Sequence, residues 1–321
     1  KWAVLGTGVI ANEMAQALQK MGKKLYAVAN RTYDKAVEFA EKYGAEKVYE
    51  KIDDMFTDKE SDIIYITTPH NTHIKFMLEA LKNGKHVLCE KSITLNSEEL
   101  EEAVKIAKEK NLILGEAMTI FNMPLYTKLS DIVNSGKLGD VKMIQVNFGS
   151  YKEYDMNNRF FNRNLAGGAL LDIGVYAISI TRLFMTSKPD NVLSQVKYAP
   201  TGVDEQVGII MMNKEQQMST IALTLHSKQP KRVVIACEKA YIEVLEYPRA
   251  DKAKIVYTET GEIEEIEEGI TANALQYEMQ NMEKSVKSGI NQMKLEYTRD
   301  VMDIMTNLRK EWGMTYPEEE K

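Results

Sequence analysis

The sequence predicts an α/β chain in two parts. The first is a parallel sheet flanked by helices, and the second is α+β with a large, mostly antiparallel, open-faced sheet. Three observations carry this. Gly6-Thr7-Gly8-Val9-Ile10-Ala11 forms a glycine turn between an apolar strand and a helix. Strand-like and helical segments then alternate to about residue 118, the rhythm of right-handed crossovers on a parallel sheet. Beyond that point strand-like runs joined by short turns dominate, which builds antiparallel pairs. The boundary reads at 119, so the domains are 1–119 and 120–321.

Strand signals in the first part fall at 1–5, 25–29, 62–67, 86–90 and 112–114. Helical patterns separate them, running from the glycine turn to about 20 and then over 34–43, 71–83 and 97–110. Gly44 and Gly84 close two of these helices, Pro69 stops the third strand, and Asp53 and Asp54 open a short helix. Ser97 is placed as the cap of the last helix. In the second part a helix over 124–135 precedes strands at 141–150, 192–198, 206–212, 219–226, 232–237, 241–245 and 254–258. One long helix, 168–185, interrupts the strands, and helices return over 274–287 and 295–312. The run 262–268 alternates carboxylates with Ile263 and Ile266 and reads as a solvated edge, not a metal site.

At 321 residues the chain is long enough for two cores. A net charge of -6 argues against a general nucleic-acid binder. No apolar run approaches the ~18 residues of a membrane span, so no membrane partner is expected. Cys89 and Cys237, each inside a strand-like apolar run, read as free thiols in a reducing cytoplasm.

In the glycine turn, Gly6 permits the tight bend, Gly8 lets the backbone approach a pyrophosphate, and Ala11 keeps the helix close to the strand. The N–H groups at the helix start then face the phosphates. The first domain therefore reads as a Rossmann dinucleotide-binding domain, with Gly6, Thr7, Gly8, Val9 and Ile10 against the cofactor. The tip of the second strand chooses between cofactors. An NAD site usually carries a carboxylate there, whereas this chain runs Ala29-Asn30-Arg31-Thr32-Tyr33-Asp34-Lys35. Asn30, Arg31 and Lys35 are assigned to the cofactor, with Arg31 and Lys35 one helical turn apart as a clamp for a 2′-phosphate. NADP is favoured over NAD. Thr68, Pro69 and His70 line the groove from adenosine to nicotinamide, and His73, Glu90 and Lys91 complete the cofactor set. His70-x-x-His73 has the spacing of a metal pair, but no third ligand lies nearby, so no metal is expected.

The catalytic candidates sit in two places. Ala166-Gly167-Gly168-Ala169-Leu170-Leu171-Asp172-Ile173-Gly174-Val175-Tyr176 sets a carboxylate and a phenol four residues apart on one helix face, just after a glycine hinge. Cys89-Glu90-Lys91-Ser92 follows the fourth strand, so Lys91 emerges at the carboxyl edge of the sheet. A phenol is a poor base at neutral pH unless a cation lowers its pKa. Lys91 is the cation available to Tyr176, and Asp172 orients Lys91 or a substrate hydroxyl. Tyr176 is then the general acid in reduction and the general base in oxidation.

These residues resemble the Gfo/Idh/MocA oxidoreductase family nearly end to end. The resemblance rests on the GxGxxA turn at Gly6 to Ala11, Thr68-Pro69-His70-Asn71-Thr72-His73, Glu90-Lys91-Ser92, and the GGxxxDxGxY helix from Gly167 to Tyr176. Within the family the chain looks most like the dimeric dihydrodiol dehydrogenase and NADP-dependent D-xylose dehydrogenase branch, through AGGALLDIGxY, Arg31 with Lys35, Thr201-Gly202-Val203-Asp204 and Thr315-Tyr316-Pro317. The resemblance implies hydride transfer between nicotinamide C4 and a sugar, polyol or diol, with Lys91 and Tyr176 as the catalytic pair. It also implies a homodimer through the open face of the second sheet. Two departures stand out. The family's EKP is EKS here, and the branch's WxRF is Thr119-Ile120-Phe121-Asn122, which leaves the substrate pocket more open and less cationic. Arg159, Phe160, Arg163 and Asn164 precede the glycines and reshape it, and Tyr277 reaches toward the nicotinamide end. Two alternatives stay open: a non-catalytic NADP-binding sensor or partner subunit, and an NAD-dependent glycoside hydrolase of the same family. Tyr176, where such hydrolases usually carry His, counts against the second.

Overall fold

The computed structural model describes residues 1–320. The chain forms two compact units, one of Lys1–Met118 with Ala272–Leu295, the other of Thr119–Thr271 with the chain from Glu296 onward.

The first unit carries a six-stranded parallel sheet of β1 (Trp2–Leu5), β2 (Ala27–Ala29), β3 (Lys47–Val48), β4 (Ile63–Ile66), β5 (His86–Glu90) and β6 (Leu114–Ala117), in the order β3-β2-β1-β4-β5-β6. Helices run between successive strands, so β1 and β4 are buried on both faces and read as unbroken apolar runs. The order reverses between β1 and β4, and ligands of such sheets bind at the carboxyl ends beside that reversal. The two-residue β3 was not foreseen. β6 lies further along the chain than 112–114, because Leu112 N–H still bonds to Ala107 O of the preceding helix at 2.8 Å. The cap of helix Ser97–Glu109 is Asn96, not Ser97: its Oδ1 accepts the Glu99 N–H at 2.9 Å.

The second part of the chain does not stay in one piece from residue 120, as the domain reading had it. Helix Ala274–Ser288 packs against helix Val9–Lys20, within the first unit. Trp2 Nε1 donates to Glu283 Oε1 at 2.9 Å, Lys23 pairs with the same carboxylate, and Asn291 Nδ2 donates to Leu114 O at 2.9 Å. The Cα of Gly115 faces Met293 so closely that a Cβ would lie 2.8 Å from it. Tyr277 belongs to this returning helix.

The second unit is built on an eight-stranded sheet, β14-β13-β12-β11-β7-β10-β9-β8. Its strands are β7 (Val141–Gly149), β8 (Asn191–Tyr198), β9 (Asp204–Met212), β10 (Met218–Thr224), β11 (Gln229–Cys237), β12 (Ala240–Leu245), β13 (Lys252–Tyr257) and β14 (Ile263–Glu267). All neighbours are antiparallel except β7 and β10. The acidic run forms β14, an edge strand. On one face, Ile144, Val146, Phe148, Ile221, Leu223, Val233 and Ile235 are buried. On the other, Met212, Met218, Met143, Ala236, Tyr241, Val256 and Ile263 are successive register partners, one apolar row across seven strands. Met143, Tyr241 and Ile263 of that row are exposed.

The helical stretch Arg163–Phe184, with mean hydropathy 1.3, is long and apolar enough to cross a membrane by composition, contrary to the reading that no run approaches that length. Its most apolar part is 83% buried inside this unit, which accounts for the apolarity as core packing. It is also not one regular α-helix. Leu170–Gly174 is a π turn, followed by α-helix Val175–Phe184.

Candidate active site

The first unit holds a cavity of 990 Å³ at the carboxyl ends of β1, β2 and β4, within the usual size of a small-molecule site. Gly6, Thr7, Gly8, Asn30, Arg31, Lys35, Thr68 and Pro69 line it, as assigned from sequence. Gly6 has φ +107°, and a Cβ on it would lie 2.3 Å from Thr67 Oγ1, so only glycine fits. A Cβ on Gly8 would meet no protein atom within 4 Å; its space is that of the cavity, and a cofactor backbone can come close there. Asn12 braces the turn from below, with Nδ2 donating to Gly8 O at 2.8 Å and Oδ1 accepting from Tyr43 Oη at 2.6 Å. Asn30 occupies the tip of β2, its side chain turned back to donate to Thr32 O at 3.1 Å. Arg31 and Lys35 stand exposed on the rim; Lys42, Lys75, Glu38, Glu50 and Asp53 line the same cavity.

Val9, Ile10, His70, His73, Glu90 and Lys91 are not among the lining residues. His73 corrects the sequence reading most sharply, because it is fully buried and has no surface to offer a cofactor. Its Nδ1 lies 3.0 and 3.2 Å from the carbonyl oxygens of Ser92 and Ile93, and its Nε2 lies 2.7 Å from Thr68 O. Burial pushes its pKa down, against these three oxygens, which favour the charged ring. His70 Nε2 meets Lys91 O at 3.1 Å. Thus both histidines hold the loop that carries Lys91, and neither belongs to a cluster of metal-ligating residues among the described residues.

Two carboxylates complete that loop. Glu90 accepts from Tyr65 Oη and, through Oε2, from Lys91 N–H at 3.3 Å. Glu116, on β6 beside Cys89, is buried and accepts the Ile93 N–H through Oε2 at 2.9 Å. Burial pushes its carboxyl up to about 7, with Glu90 adding to the shift and Ile93 and Lys91 opposing it. The Lys91–Ser92 peptide is cis. The role of Glu116 was not read from sequence; its signal was a charged residue inside an otherwise buried strand.

Asp172 and Tyr176 lie in the second unit. The chain reaches their helix through Gly167 and Gly168, whose N–H groups donate to Asn162 O at 3.0 Å and Phe160 O at 2.8 Å. A Cβ on Gly167 would fall 2.8 Å from Phe160 O, and Gly168 has φ +122°, so both glycines are required by space or by backbone. Asp172 sits in the π turn and is 8% exposed. Such turns recur at functional sites because they re-aim side chains within a helix. Arg159 Nη1 lies 3.9 Å from Asp172 Oδ1. Tyr176 stacks on Phe148 of β7 at 5.8 Å between centroids and 22° between planes. Beneath the hinge, Tyr316 Oη donates to Gly167 O at 2.5 Å, and the bidentate pair Arg309–Glu319 fixes the tail that carries Tyr316.

The family models match accordingly. Residues 1–118 match "Oxidoreductase family, NAD-binding Rossmann fold", and residues 126–243 match "GFO/IDH/MocA C-terminal domain". The trans-1,2-dihydrobenzene-1,2-diol dehydrogenase of Xenopus laevis is 28% identical over 99% of both chains, and that of Homo sapiens 26% identical over 100% of this chain and 99% of its own. Among solved structures, a 3-ketoreductase from Actinomadura kijaniata in complex with NADP and TDP-benzene superposes with a TM-score of 0.83 at 20% identity, over 96% of this chain and 95% of that one. The UDP-N-acetylglucosamine 3-dehydrogenase of Acidithiobacillus ferrooxidans superposes with a TM-score of 0.79 at 18% identity, over 96% of both chains. With both of its domains matched and its glycine turn and GGxxxDxGxY helix in place, the chain belongs to the Gfo/Idh/MocA family of NAD(P)-dependent oxidoreductases.

Proposed function

We propose that this protein is an NADP-dependent dehydrogenase or reductase that transfers hydride between nicotinamide C4 and the carbinol carbon of a sugar, polyol or diol. The observation that carries the proposal is the cavity behind Gly8, with Arg31 and Lys35 on its rim and Asn30, not a carboxylate, at the tip of β2. The bound nicotinamide supplies the hydride acceptor or donor. Gly6 and Gly8 make room for the pyrophosphate, and Arg31 and Lys35 take the 2′-phosphate. In oxidation Tyr176 Oη removes the hydroxyl proton as the carbon gives up its hydride; in reduction it returns that proton to the alkoxide. The Lys91 ammonium favours the phenolate, and Asp172 orients the reacting hydroxyl or Lys91. The names of the relatives, which act on diols and sugar derivatives, support a CH–OH substrate.

The test is a fluorescence titration with NADPH and NADH side by side, followed by an NADP+-linked screen of aldoses, polyols and vicinal diols. Tight NADPH, weak NADH and turnover of a CH–OH compound support the reading. Equal binding of both cofactors overturns the 2′-phosphate assignment, and binding without turnover of any compound favours a sensor.

We also propose that the outer face of the eight-stranded sheet pairs with a second copy of the chain. Its apolar row is the support, since a continuous exposed apolar patch calls for a cover. Light scattering should give twice the chain mass for the parent protein and the single mass for a Met143→Glu, Tyr241→Glu double variant; a monomeric parent removes the idea. Both thiols are free and burial raises their pKa, which suits a cytoplasmic setting.

A further inference from the structure

We propose that the substrate of this site carries a negatively charged group, a carboxylate or a phosphate, on its sugar or polyol body. The inference rests on the reading of Asp172 and Tyr176 as the reacting site and names the class of substrate that the site takes.

The argument starts from two aromatic rings in the second unit. Phe160 has Lys152 Nζ and the Arg159 guanidinium each 4.2 Å from its centroid. Two like charges are thereby held no more than twice that distance apart. Phe148, on which Tyr176 stacks, has Lys231 Nζ 5.0 Å from its centroid. A cation over a ring gains roughly 0.5–1 kcal/mol at an exposed position, which fixes its direction without neutralising it.

The carboxylates that face these cations hold them loosely. Arg159 reaches Asp172 only at 3.9 Å, and Lys231 reaches Glu246 only at 3.9 Å. Hydrogen-bonded charge pairs close to about 2.7–2.9 Å, and this unit shows that geometry elsewhere, with Arg232 at 2.6 Å from Glu243 and Lys197 at 2.6 Å from Glu205. Arg159 keeps 62% of its side chain exposed. The guanidinium therefore retains N–H donors that Asp172 does not use, and its fork matches a carboxylate or phosphate in two-point contact.

Location supplies the function. One loose cation lies beside Asp172, and another lies over the ring that stacks on Tyr176. A substrate whose hydroxyl meets Tyr176 brings its remaining atoms within reach of these charges. An anionic substituent would complete both loose pairs, whereas a neutral sugar would leave the like charges of Lys152 and Arg159 facing each other uncompensated. The absence of the branch's Trp and Arg at 119–122 had suggested a less cationic pocket; Lys152, Arg159 and Lys231 supply cations from other segments of the chain.

The test is calorimetric titration of the protein saturated with NADPH, a state in which an alcohol binds without reacting. The ligands are D-glucose, D-glucuronate and D-glucose 6-phosphate, then aldoses and polyols each paired with its uronate, aldonate or phosphate. At least one anionic member should bind about tenfold or more tightly than its neutral parent. That preference should fall with added salt, and several-fold in Arg159→Ala and in Lys231→Ala, with Lys231→Arg retaining it. Preference for the carboxylates or for the phosphates identifies which group the site takes. Equal binding of charged and neutral members, no binding of any member, or a preference unchanged in both alanine variants overturns the proposal. Anionic ligands that bind with this preference but yield no NADPH when NADP+ is supplied leave the anion site standing and remove the dehydrogenase reading instead.

Discussion

Asp204 Oδ2 accepts the backbone N–H of Leu170 at 2.6 Å, and a Cβ on Gly168 would fall 2.2 Å from its other oxygen. A fully buried carboxylate on β9 thus holds the first turn of the helix that carries Asp172 and Tyr176. Gly168 must be glycine because the carboxylate comes so close. The pair links the sheet to the hinge, and its chemistry leads to a prediction about stability.

Burial pushes the Asp204 carboxyl up to about 7, with the Leu170 N–H and Arg309 opposing the shift. An acid whose folded pKa lies above its unfolded value of about 3.9 binds more protons when folded. Stability should therefore fall as pH rises from about 4 to about 7 and level off above that, by at most about 1.4 kcal/mol per pH unit for this group. Glu116 slopes the same way. Asn at 204 keeps an acceptor for Leu170 and has no proton to lose, so chemical denaturation of Asp204→Asn across this range should show a shallower slope than the parent. An unchanged slope would mean that Asp204 is ionised throughout.

The two glycines of the turn should separate fold from binding. Gly6 has positive φ and Thr67 against it, so Gly6→Ala should lower stability by roughly 1–3 kcal/mol. Gly8 has φ -77°, and a Cβ there meets only the cavity. Gly8→Val should melt within a degree or two of the parent, as expected for a surface change of under about 0.5 kcal/mol. It should still lose most of its NADPH affinity. Thermal melts and the NADPH titration check both; full affinity in Gly8→Val would move the pyrophosphate elsewhere.

Arg31 stands exposed at the rim with Lys35 one turn away, so its removal should cost the cofactor and not the fold. A hydrogen bond to a charged group contributes about 1.5–3 kcal/mol. Arg31→Ala should therefore weaken NADPH by roughly 10- to 100-fold and NADH by no more than about twofold. Equal losses on the two cofactors would sink the 2′-phosphate assignment.

Much of this arrangement was legible because the period changes along the chain. Glycine and proline punctuate 3.6-residue and two-residue patterns in the first 118 residues, and these mark the strand that ends in Gly6 and the one that ends before Lys91. What stayed hidden depends on contacts distant in sequence. The pattern over 274–287 announces a helix, but nothing local says that Glu283 will meet Trp2 and so return the helix to the first unit. The π turn under Asp172 adds one residue to a ring of hydrogen bonds, and no residue type signals it. His73 looked like a cofactor residue because of the motif it ends, whereas its ring faces three carbonyl oxygens of the loops on either side.

Tyr176→Phe is the decisive substitution for the chemistry. The ring that stacks on Phe148 is kept and only the hydroxyl is lost, so the helix and its packing should survive. Loss of a positioned general acid or base typically lowers turnover by about 10²–10⁴-fold. Because Tyr176 lies in the second unit and the glycine-turn cavity in the first, NADPH affinity should stay within a few fold of the parent. Lys91→Met should lower turnover as well, and by removing the cation beside the phenol it should move the alkaline limb of any remaining activity to higher pH, since the phenolate loses its stabilising charge. Steady-state rates across pH for the parent and both variants, with a cofactor titration of each, read these effects separately. Undiminished turnover in Tyr176→Phe would assign the proton to another group; a Lys91→Met profile that falls in height without shifting would make Lys91 a substrate-binding cation and leave the pKa of Tyr176 to its own surroundings.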